Sequence, residues 1–550
     1  MIEIEKVFET HTTGAEILID ALIDEGITTI FGIPGGAISP VFDLLGETDL
    51  DHILMKHEQA AAHAADGFFR VSGRIAVALT TSGPGCLNLT TGIATAYKDR
   101  SALLAITGQT PTNKKGTDSF QEVDPGSMFS PIVKQTVSIS TPQLVEYFTR
   151  TILRVGYEFP PGPVHIDFPR DAQTNATKWL PRFDPPSYST PPIPYRDIQR
   201  VVQALHHALD PVIIIGGGVI RSHTCADVYT LCHLLNCPVV TTLMGKSGFP
   251  EYDPLFYGMI GSNGCKKAND VIQQADYVLA LGTRLTDRTV WNTTEFAPQA
   301  EIISVNLEQP KRMPLENLHL LPGDLRDVIP LLIELLSCHH PSPSRTRKDM
   351  KSLFPEDDEQ VQIPLHPATV LKTLRKIYPL DAVFVVDTGQ HQLFTAHYLQ
   401  VSTPATFITS GGMGCMGFGF PAALGVKMAV PDCAVVNITG DGGFLMMCQE
   451  LATSVGYDIP VTICIFNNGY LGMIRQSQLS CFNRICDVDL SPLPDFVKLA
   501  ESFGARGIRI DSIDDLHGLE VHPDRTTVLD IPIDPHIPVP VQGYSWASKR

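Results

Sequence analysis

Residues 434–470 read AVVNITGDGGFLMMCQELATSVGYDIPVTICIFNNGY. Two short apolar runs, 434–439 and 461–466, flank an amphipathic stretch. Neither run alternates apolar with polar residues, so both predict strands covered on two faces, as in a parallel sheet. The first run leads into Gly440-Asp441-Gly442-Gly443 and the second into Asn467-Asn468-Gly469-Tyr470. Asp441 and Asn468 are 27 residues apart, the length of one strand-helix-strand crossover. Such a crossover brings the ends of two parallel strands side by side. A carboxylate and a neutral carbonyl then meet at one point, and hard oxygen ligands of this kind suit Mg²⁺ bridging a diphosphate. The glycines let backbone N–H groups approach phosphate, and the following helix adds its positive N-terminus. The bland alternative is an ordinary βαβ unit with turn residues at its strand ends, because a lone Gly-Asp-Gly is common. Two such motifs at crossover spacing, each directly after an apolar strand, favour the ligand site.

The same alternation of strands and helices extends along the chain. Residues 75–80, 212–215, 277–281 and 383–386 are further apolar runs. Glycine-rich turns occupy residues 32–36, 82–85, 216–218 and 389–392. In open α/β sheets, ligands bind at the carboxyl ends of strands, where such turns lie. Two stretches break the pattern. Residues 172–195 include Pro181, Pro185, Pro186, Pro191, Pro192 and Pro194, and residues 337–365 mix serine, proline and charge. Both read as extended connectors. They divide the 550 residues into segments 1–175, 195–336 and 365–550, each of domain size. The expected fold class is α/β, with three doubly wound parallel-sheet domains.

Composition narrows the function classes. Apolar residues make up 43% and charged residues 18%, which fits folded domains rather than a disordered chain. A formal net charge of −18 would repel a phosphate backbone, so no nucleic-acid partner is expected. No apolar run approaches the roughly 18 residues of a membrane span. Residues 1–9 carry three glutamates and lack the features of a signal or transit peptide, so the expected location is cytoplasmic. The 12 cysteines show neither a C-x-x-C pair nor zinc spacing, which predicts buried, reduced thiols. Cys338-His339-His340 adjoins Pro341-Ser342-Pro343 without a second ligand pair and reads as linker.

In the first segment, Lys56-His57-Glu58-Gln59 runs into Ala60-Ala61-Ala62-His63-Ala64-Ala65-Asp66-Gly67. The small residues let backbone or a ligand approach closely. On local sequence alone, Glu58 is a glutamate in the first turn of a helix, favoured by the dipole.

Gly440-Asp441-Gly442 with Asn467-Asn468 resembles the thiamine-diphosphate motif of decarboxylases, oxidases and carboligases. The stretch from His57 to Gly67 is similar to the acetolactate synthase segment that carries the catalytic glutamate. Phe31-Gly32-Ile33-Pro34-Gly35-Gly36-Ala37, Thr81-Ser82-Gly83-Pro84-Gly85 and Gly116-Thr117-Asp118-Ser119-Phe120-Gln121-Glu122 extend the resemblance. So do Pro131-Ile132-Val133-Lys134 and the glycine-rich stretch from Thr409 to Gly419, and it covers nearly the whole chain. It implies that the three domains are pyrimidine-binding, central Rossmann-like and diphosphate-binding. It implies Mg²⁺ on Asp441, Asn468 and the backbone carbonyl of Tyr470. It implies thiamine diphosphate against Gly35, Gly36, Glu58, Gly389, Gln390, His391, Gly414, Met416, Gly440, Gly442, Gly443, Tyr470, Leu471 and Gly472. Glu58 would bond to N1′ of the aminopyrimidine and favour the tautomer whose 4′-nitrogen removes the C2 proton, a role that suits a buried carboxyl. Met416 would wedge the thiamine into its bent shape; without the resemblance it reads as core filling. Gln121 and Lys134 would be catalytic, with Phe120 near the substrate and Lys134 paired with a 2-oxo acid carboxylate. By itself Lys134 reads as a solvated surface lysine. In this family Glu58 acts across a subunit interface, which implies a homodimer or homotetramer, and a small regulatory subunit is a further candidate partner.

Gly216-Gly217-Gly218 after an apolar run is alone a weak dinucleotide fingerprint. Together with Thr241-Thr242-Leu243-Met244-Gly245-Lys246, Gly258-Met259-Ile260-Gly261, Gly282-Thr283-Arg284-Leu285-Thr286-Asp287-Arg288 and Phe296-Ala297-Pro298, it resembles the part of acetolactate synthase that binds FAD. In that family the flavin is structural and does no net redox. The resemblance implies FAD against Gly217, Gly218, Arg284 and Arg288, the arginines neutralising its diphosphate; a vestigial spacer domain is the alternative. Asn263 and Asn306 stand where the family has His and Asp. Gln476-Ser477-Gln478 replaces the family's Q-W-Q, and Thr388 replaces its Val. Losing the Trp removes more than about 100 Å² of aromatic contact. The expectation is a weakened preference for 2-oxobutyrate, or a pocket for a bulkier acceptor. The tail from Gly543 to Arg550 does not resemble the family's.

The implied reaction decarboxylates a 2-oxo acid, pyruvate first, and joins the remaining unit to a second 2-oxo acid. The product is acetolactate or a related 2-hydroxy-3-oxo acid, within branched-chain amino acid biosynthesis. Rival readings are a plain decarboxylase, an oxidase using FAD for redox, and a catalytically inactive paralogue that binds a partner subunit. Intact Glu58, Asp441 and Asn468 argue against the last. A nicotinamide dehydrogenase is weaker, because no acidic residue stands about 20 positions after Gly216–Gly218 at a strand end.

Overall fold

The apolar runs form strands, and the strands assemble into three six-stranded sheets. The computed structural model describes residues 11–178, 195–307, 315–338, 365–521 and 524–540. The first sheet has the order Asp51–Leu54, Thr29–Gly32, Val77–Thr80, Leu104–Gln109, Val164–Pro169, Gln135–Ser138. The second runs Phe256–Met259, Val239–Thr241, Pro211–Ile215, Tyr277–Leu281, Glu301–Asn306, Leu318–Pro322. The third runs Phe407–Thr409, Val383–Val386, Val435–Gly440, Thr462–Asn467, Thr527–Pro532, Arg506–Arg509. Every pairing within these sheets is parallel. The central strands are buried along their whole length, as expected for apolar runs covered on both faces.

The third sheet sets the position of the site. From Val383–Val386 the chain crosses outward to Phe407–Thr409, then returns to the other side as Val435–Gly440. The direction of winding therefore reverses between two neighbouring strands, which opens a crevice at their carboxyl ends. Gly440 is in register with Phe466, so the residues after each strand, Asp441 and Asn468 among them, emerge side by side. A crossover of ordinary length accounts for this arrangement.

By packing, the described chain forms two compact units. One holds the described residues of 1–188 together with Gly412–Pro431 and Met447–Pro460; the other holds the described residues of 189–411 and 461–550 together with Asp432–Met446. In the first unit the helix Glu58–Ser72 lies against the helix Gly419–Ala429. A Cβ on Gly67 would stand 2.2 Å from the Ala422 carbonyl oxygen, and one on Gly425 would stand 1.8 Å from that of Ala64. The run of small residues after Glu58 therefore admits a neighbouring backbone. Gly425→Ala is expected to cost about 1–3 kcal/mol through overpacking, because backbone rather than a flexible side chain must yield. An unchanged thermal midpoint would contradict this account of the seam.

A buried ion cluster lies within each unit. In the first, Arg70 bridges Asp66 and Asp99, and Asp99 Oδ1 accepts the Gly412 N–H at 2.7 Å. Both carboxylates are fully buried. In the second, Lys246 Nζ contacts both oxygens of Glu251 at 2.7 and 2.8 Å, and Glu251 also accepts the Val401 N–H.

Two sequence readings need correction. Residues 172–178, assigned to a connector, hold the end of the helix Arg170–Thr174 and the strand Ala176–Lys178. That strand pairs antiparallel with His11–Thr13, so a partner distant in sequence overrides a local stretch with no apolar pattern. The remainder of 172–195 as far as 194, residues 1–9, 339–364 including His339 and His340, and 543–550 lie outside the described residues. The cysteines are all free, yet only Cys86, Cys232, Cys237 and Cys464 are buried, while Cys338 and Cys486 are exposed. Glu58, the first residue of its helix, is half-buried within the single chain.

Candidate active site

In the second unit, Asp441 is 2% exposed and its two oxygens are both engaged. Oδ1 accepts the Gly442 N–H at 2.8 Å and Oδ2 accepts the Gly469 N–H at 2.6 Å. Burial pushes its carboxyl up to about 6, against the pull of those backbone donors. A buried carboxylate with a raised pKa gains from an adjacent cation, and this donor set fits Mg²⁺. Gly469 has φ 73°, which lets the chain turn back so that its N–H meets Asp441. Asn468 Oδ1 accepts the Tyr470 N–H at 3.0 Å, and its Nδ2 donates to Gln390 Oε1 at 3.2 Å. The loop is fixed from outside by Leu471 N–H to the Val488 carbonyl and Leu490 N–H to the Gly469 carbonyl, both 2.9 Å.

The neighbouring strand Val383–Val386 ends in Asp387, Thr388 and Gly389. The His391 ring lies where side chains on Gly389 or Gly440 would stand: their Cβ atoms would come within 2.6 and 2.9 Å of it. His391 is buried, which lowers it to about 3, and its Nε2 has no hydrogen-bond partner among the described residues. The Thr388 hydroxyl is likewise buried and unpartnered. Orphaned polar atoms beside glycine backbone at strand ends fit a phosphate group, whose charge would favour the protonated ring. Asp387, 1% exposed, accepts the Thr388 N–H at 2.6 Å and stands 3.0 Å from where a Gly443 Cβ would be. Sequence reading passed over Asp387, although VFVVD repeats the strand-then-acid pattern of AVVNITGD. A Cβ on Gly472 would meet Gln390 Oε1 at 2.1 Å, so this glycine makes room for the Gln390–Asn468 contact. Thus Gly389, Gln390, His391, Gly440, Asp441, Gly442, Gly443, Asn468, Tyr470, Leu471 and Gly472 converge on one crevice.

In the first unit, His57 caps the helix Glu58–Ser72 by accepting the Gln59 N–H at 3.1 Å. Glu58 Oε2 accepts from Asn88 Nδ2 at 2.9 Å. Oε1 lies 3.4 Å from where a Gly85 Cβ would stand, so the glycine keeps space beside it. Asn88 was not foreseen; it lies on the short helix Pro84–Asn88 that follows the Thr81–Gly85 turn. Gly35 packs against Thr81, and Gly36 has open space in front of it. Gln121 is held at φ 58° against Gly83, a backbone state uncommon for a residue with a Cβ. Phe120 beside it is 87% exposed. Lys134 Nζ donates to the Glu158 carbonyl at 2.6 Å. Gly414 and Met416 sit in a loop anchored by the Asp99 bond to Gly412 and by Phe418, whose ring meets His63 edge-on and lies under Arg70.

The middle sheet fits a flavin only in part. A Cβ on Gly216 or Gly218 would meet Gly282 backbone at 2.4 or 2.7 Å, and one on Gly217 would meet the Met244 carbonyl at 2.9 Å. These glycines serve packing between strand ends. Arg284 is half-buried and Arg288 exposed. Asn306 Nδ2 donates to the Thr283 carbonyl at 2.9 Å, and the Asn263 carbonyl bonds to His397.

Comparison with known proteins agrees with this geometry. Residues 12–128 match the thiamine pyrophosphate enzyme N-terminal TPP binding domain, 198–315 the central domain, and 387–520 the C-terminal TPP binding domain. The chain is 41% identical to a probable acetolactate synthase large subunit of Methanocaldococcus jannaschii, over 96% of this chain and 93% of that protein. It is 35% identical to the acetolactate synthase isozyme 3 large subunit of Escherichia coli, over 98% of this chain and 99% of that one. A thiamine diphosphate-dependent 4-hydroxybenzoylformate decarboxylase of Rhodococcus jostii shares the fold, with a TM-score of 0.84 at 23% identity, covering 95% of this chain and 99% of the other. No described helix is long and apolar enough to cross a membrane. On these matches, along with the crevice at the switch point and a glutamate at a helix start, the chain belongs to the thiamine pyrophosphate enzymes, in the family of acetolactate synthase large subunits.

Proposed function

We propose that the protein decarboxylates pyruvate and joins the two-carbon unit to a second 2-oxo acid, giving acetolactate when that acid is also pyruvate. Near full-length similarity to acetolactate synthase large subunits carries this reading. Thiamine diphosphate, when bound, supplies the nucleophilic carbon and the electron sink. Asp441, Asn468 and the Tyr470 carbonyl hold Mg²⁺; Gln390, His391 and the glycines around them hold the diphosphate. Asn88 occupies one Glu58 oxygen, so the other is free to carry a proton to and from the aminopyrimidine. Met416 supports the bent cofactor. Gln121, exposed Phe120 and Lys134 face substrate, and the unusual backbone at Gln121 supports a functional constraint there.

In this reading residues 1–175 are the pyrimidine-binding domain, 195–336 the central domain and 365–550 the diphosphate and Mg²⁺ domain. FAD bound against Gly217, Gly218, Arg284 and Arg288 is structural, and a flavin absorbance band in the purified protein would reveal it. The enzyme is a cytoplasmic homodimer or homotetramer. The words "large subunit" in the relatives' names support a small regulatory partner.

The test is a product assay with purified protein, pyruvate, thiamine diphosphate and Mg²⁺. Acetolactate supports the carboligase; acetaldehyde alone would indicate a plain decarboxylase, and peroxide an oxidase. The acceptor range is a separate prediction. Ser477 lies half-buried on the helix Gly472–Phe482, which has no fully buried residue. In competition between pyruvate and 2-oxobutyrate, preference for the latter should be weak and should rise in Ser477→Trp. A strong preference in the unmodified protein would overturn this.

A further inference from the structure

Glu450 is a fully buried carboxyl with no part in the chemistry above. It lies in the first unit, at the end of the short helical turn Cys448–Glu450 that leads into the helix Leu451–Gly456. Its oxygens accept the Lys56 N–H at 3.0 and 3.2 Å, and the neighbouring His57 N–H also favours the charged carboxylate. Thr453 Oγ1 donates to Glu450 Oε2 at 2.7 Å and also reaches the Leu54 carbonyl at 3.3 Å. The Tyr457 hydroxyl accepts the Leu54 N–H at 3.0 Å. Positions 450, 453 and 457 follow helical spacing, so one face of this turn and helix presents three polar groups to residues 54–57. Those residues lead directly into Glu58.

The Lys56 N–H that Glu450 accepts is a part-buried contact, and a backbone donor left unpaired out of water costs up to about 1–3 kcal/mol. Burial raises Glu450 to about 7, opposed by the Thr453 hydroxyl and by the backbone N–H groups of Lys56 and His57 nearby. A carboxyl is held there in spite of that desolvation, and what it holds is the approach to the helix start. His57 is extended, with φ −149° and ψ 139°, and the direction in which Glu58 leaves the chain depends on that conformation.

We propose that Glu450 is a positioning residue: through Lys56 and His57 it aims the Glu58 carboxyl. This rests on Glu58 being the proton relay, and the tests keep the two claims apart. Glu450→Gln preserves size but turns an N–H donor toward the Lys56 N–H. Its kcat should fall about tenfold or more, as small misplacements of catalytic groups do, with KM for pyruvate little changed. In the cofactor-free protein, hydrogen exchange of residues 54–60 should quicken while the rest of the first unit keeps its protection. Thr453→Val, which leaves the carboxyl but removes its hydroxyl donor, should shift both readouts the same way by less, and it serves if Glu450→Gln does not fold. Unchanged kcat or unchanged local exchange in these variants, with Glu58→Gln inactive, overturns the inference and leaves the relay standing. An active Glu58→Gln overturns both.

Discussion

Glu58→Gln is expected to lower kcat for acetolactate formation by about 10²–10⁴-fold, the range for loss of a positioned proton-transfer group. The substitution keeps the shape of the side chain, and the amide oxygen still accepts from Asn88. The space kept by Gly85 is unchanged. What is lost is the second oxygen as a proton carrier. Affinity for thiamine diphosphate, followed by fluorescence titration, should fall far less than kcat. A kcat near that of the unmodified protein would remove Glu58 from the relay. An equal loss of affinity and rate would instead mean that it only holds the cofactor.

Asp441→Asn is expected to weaken Mg²⁺-dependent binding of thiamine diphosphate by about 100-fold or more, since removing one partner of a buried charge pair costs about 3–5 kcal/mol. The change also disturbs the loop. Asp441 accepts from both Gly442 and Gly469, and an amide satisfies only one of these donors while its NH₂ faces the other. Calorimetric titration with Mg²⁺ and thiamine diphosphate together is the direct measurement. Affinity equal to that of the unmodified protein would rule out Asp441 as a metal ligand.

The meeting of Asp441 and Asn468 at one strand-end crevice was legible because its signals are local. Asp441 and Asn468 each follow an uninterrupted apolar strand, and crossover length alone makes such strands neighbours. Asp387 follows an apolar strand in the same way but stands outside any Gly-Asp-Gly turn, so its signal is weaker. Glu450 carried none: the residue it serves, Lys56, is 394 positions away, and a buried glutamate in a helical turn looks like any other in sequence. The alanine run after Glu58 announced close approach but not of what, since only tertiary packing supplies the carbonyls of Ala422. The strand Ala176–Lys178 was hidden for the same reason, because its pairing with His11–Thr13 is non-local. The close approach of the middle glycines to the backbone of Gly282 and Met244 was not legible, since spacing alone does not say what a glycine packs against.

The seam between the helices Glu58–Ser72 and Gly419–Ala429 also bears on how this chain can be recombined. A chimera that exchanges residues 365–550 for those of a relative also exchanges Ala422 and Gly425, and with them one wall of the first unit's interior. Contacts this close leave no slack, so a donor with a larger residue at either place should give insoluble protein even if both parents fold well. Crossovers that move the 58–72 and 419–429 helices together should survive. In this chain the heritable module is the pair of helices rather than the segment between two linkers.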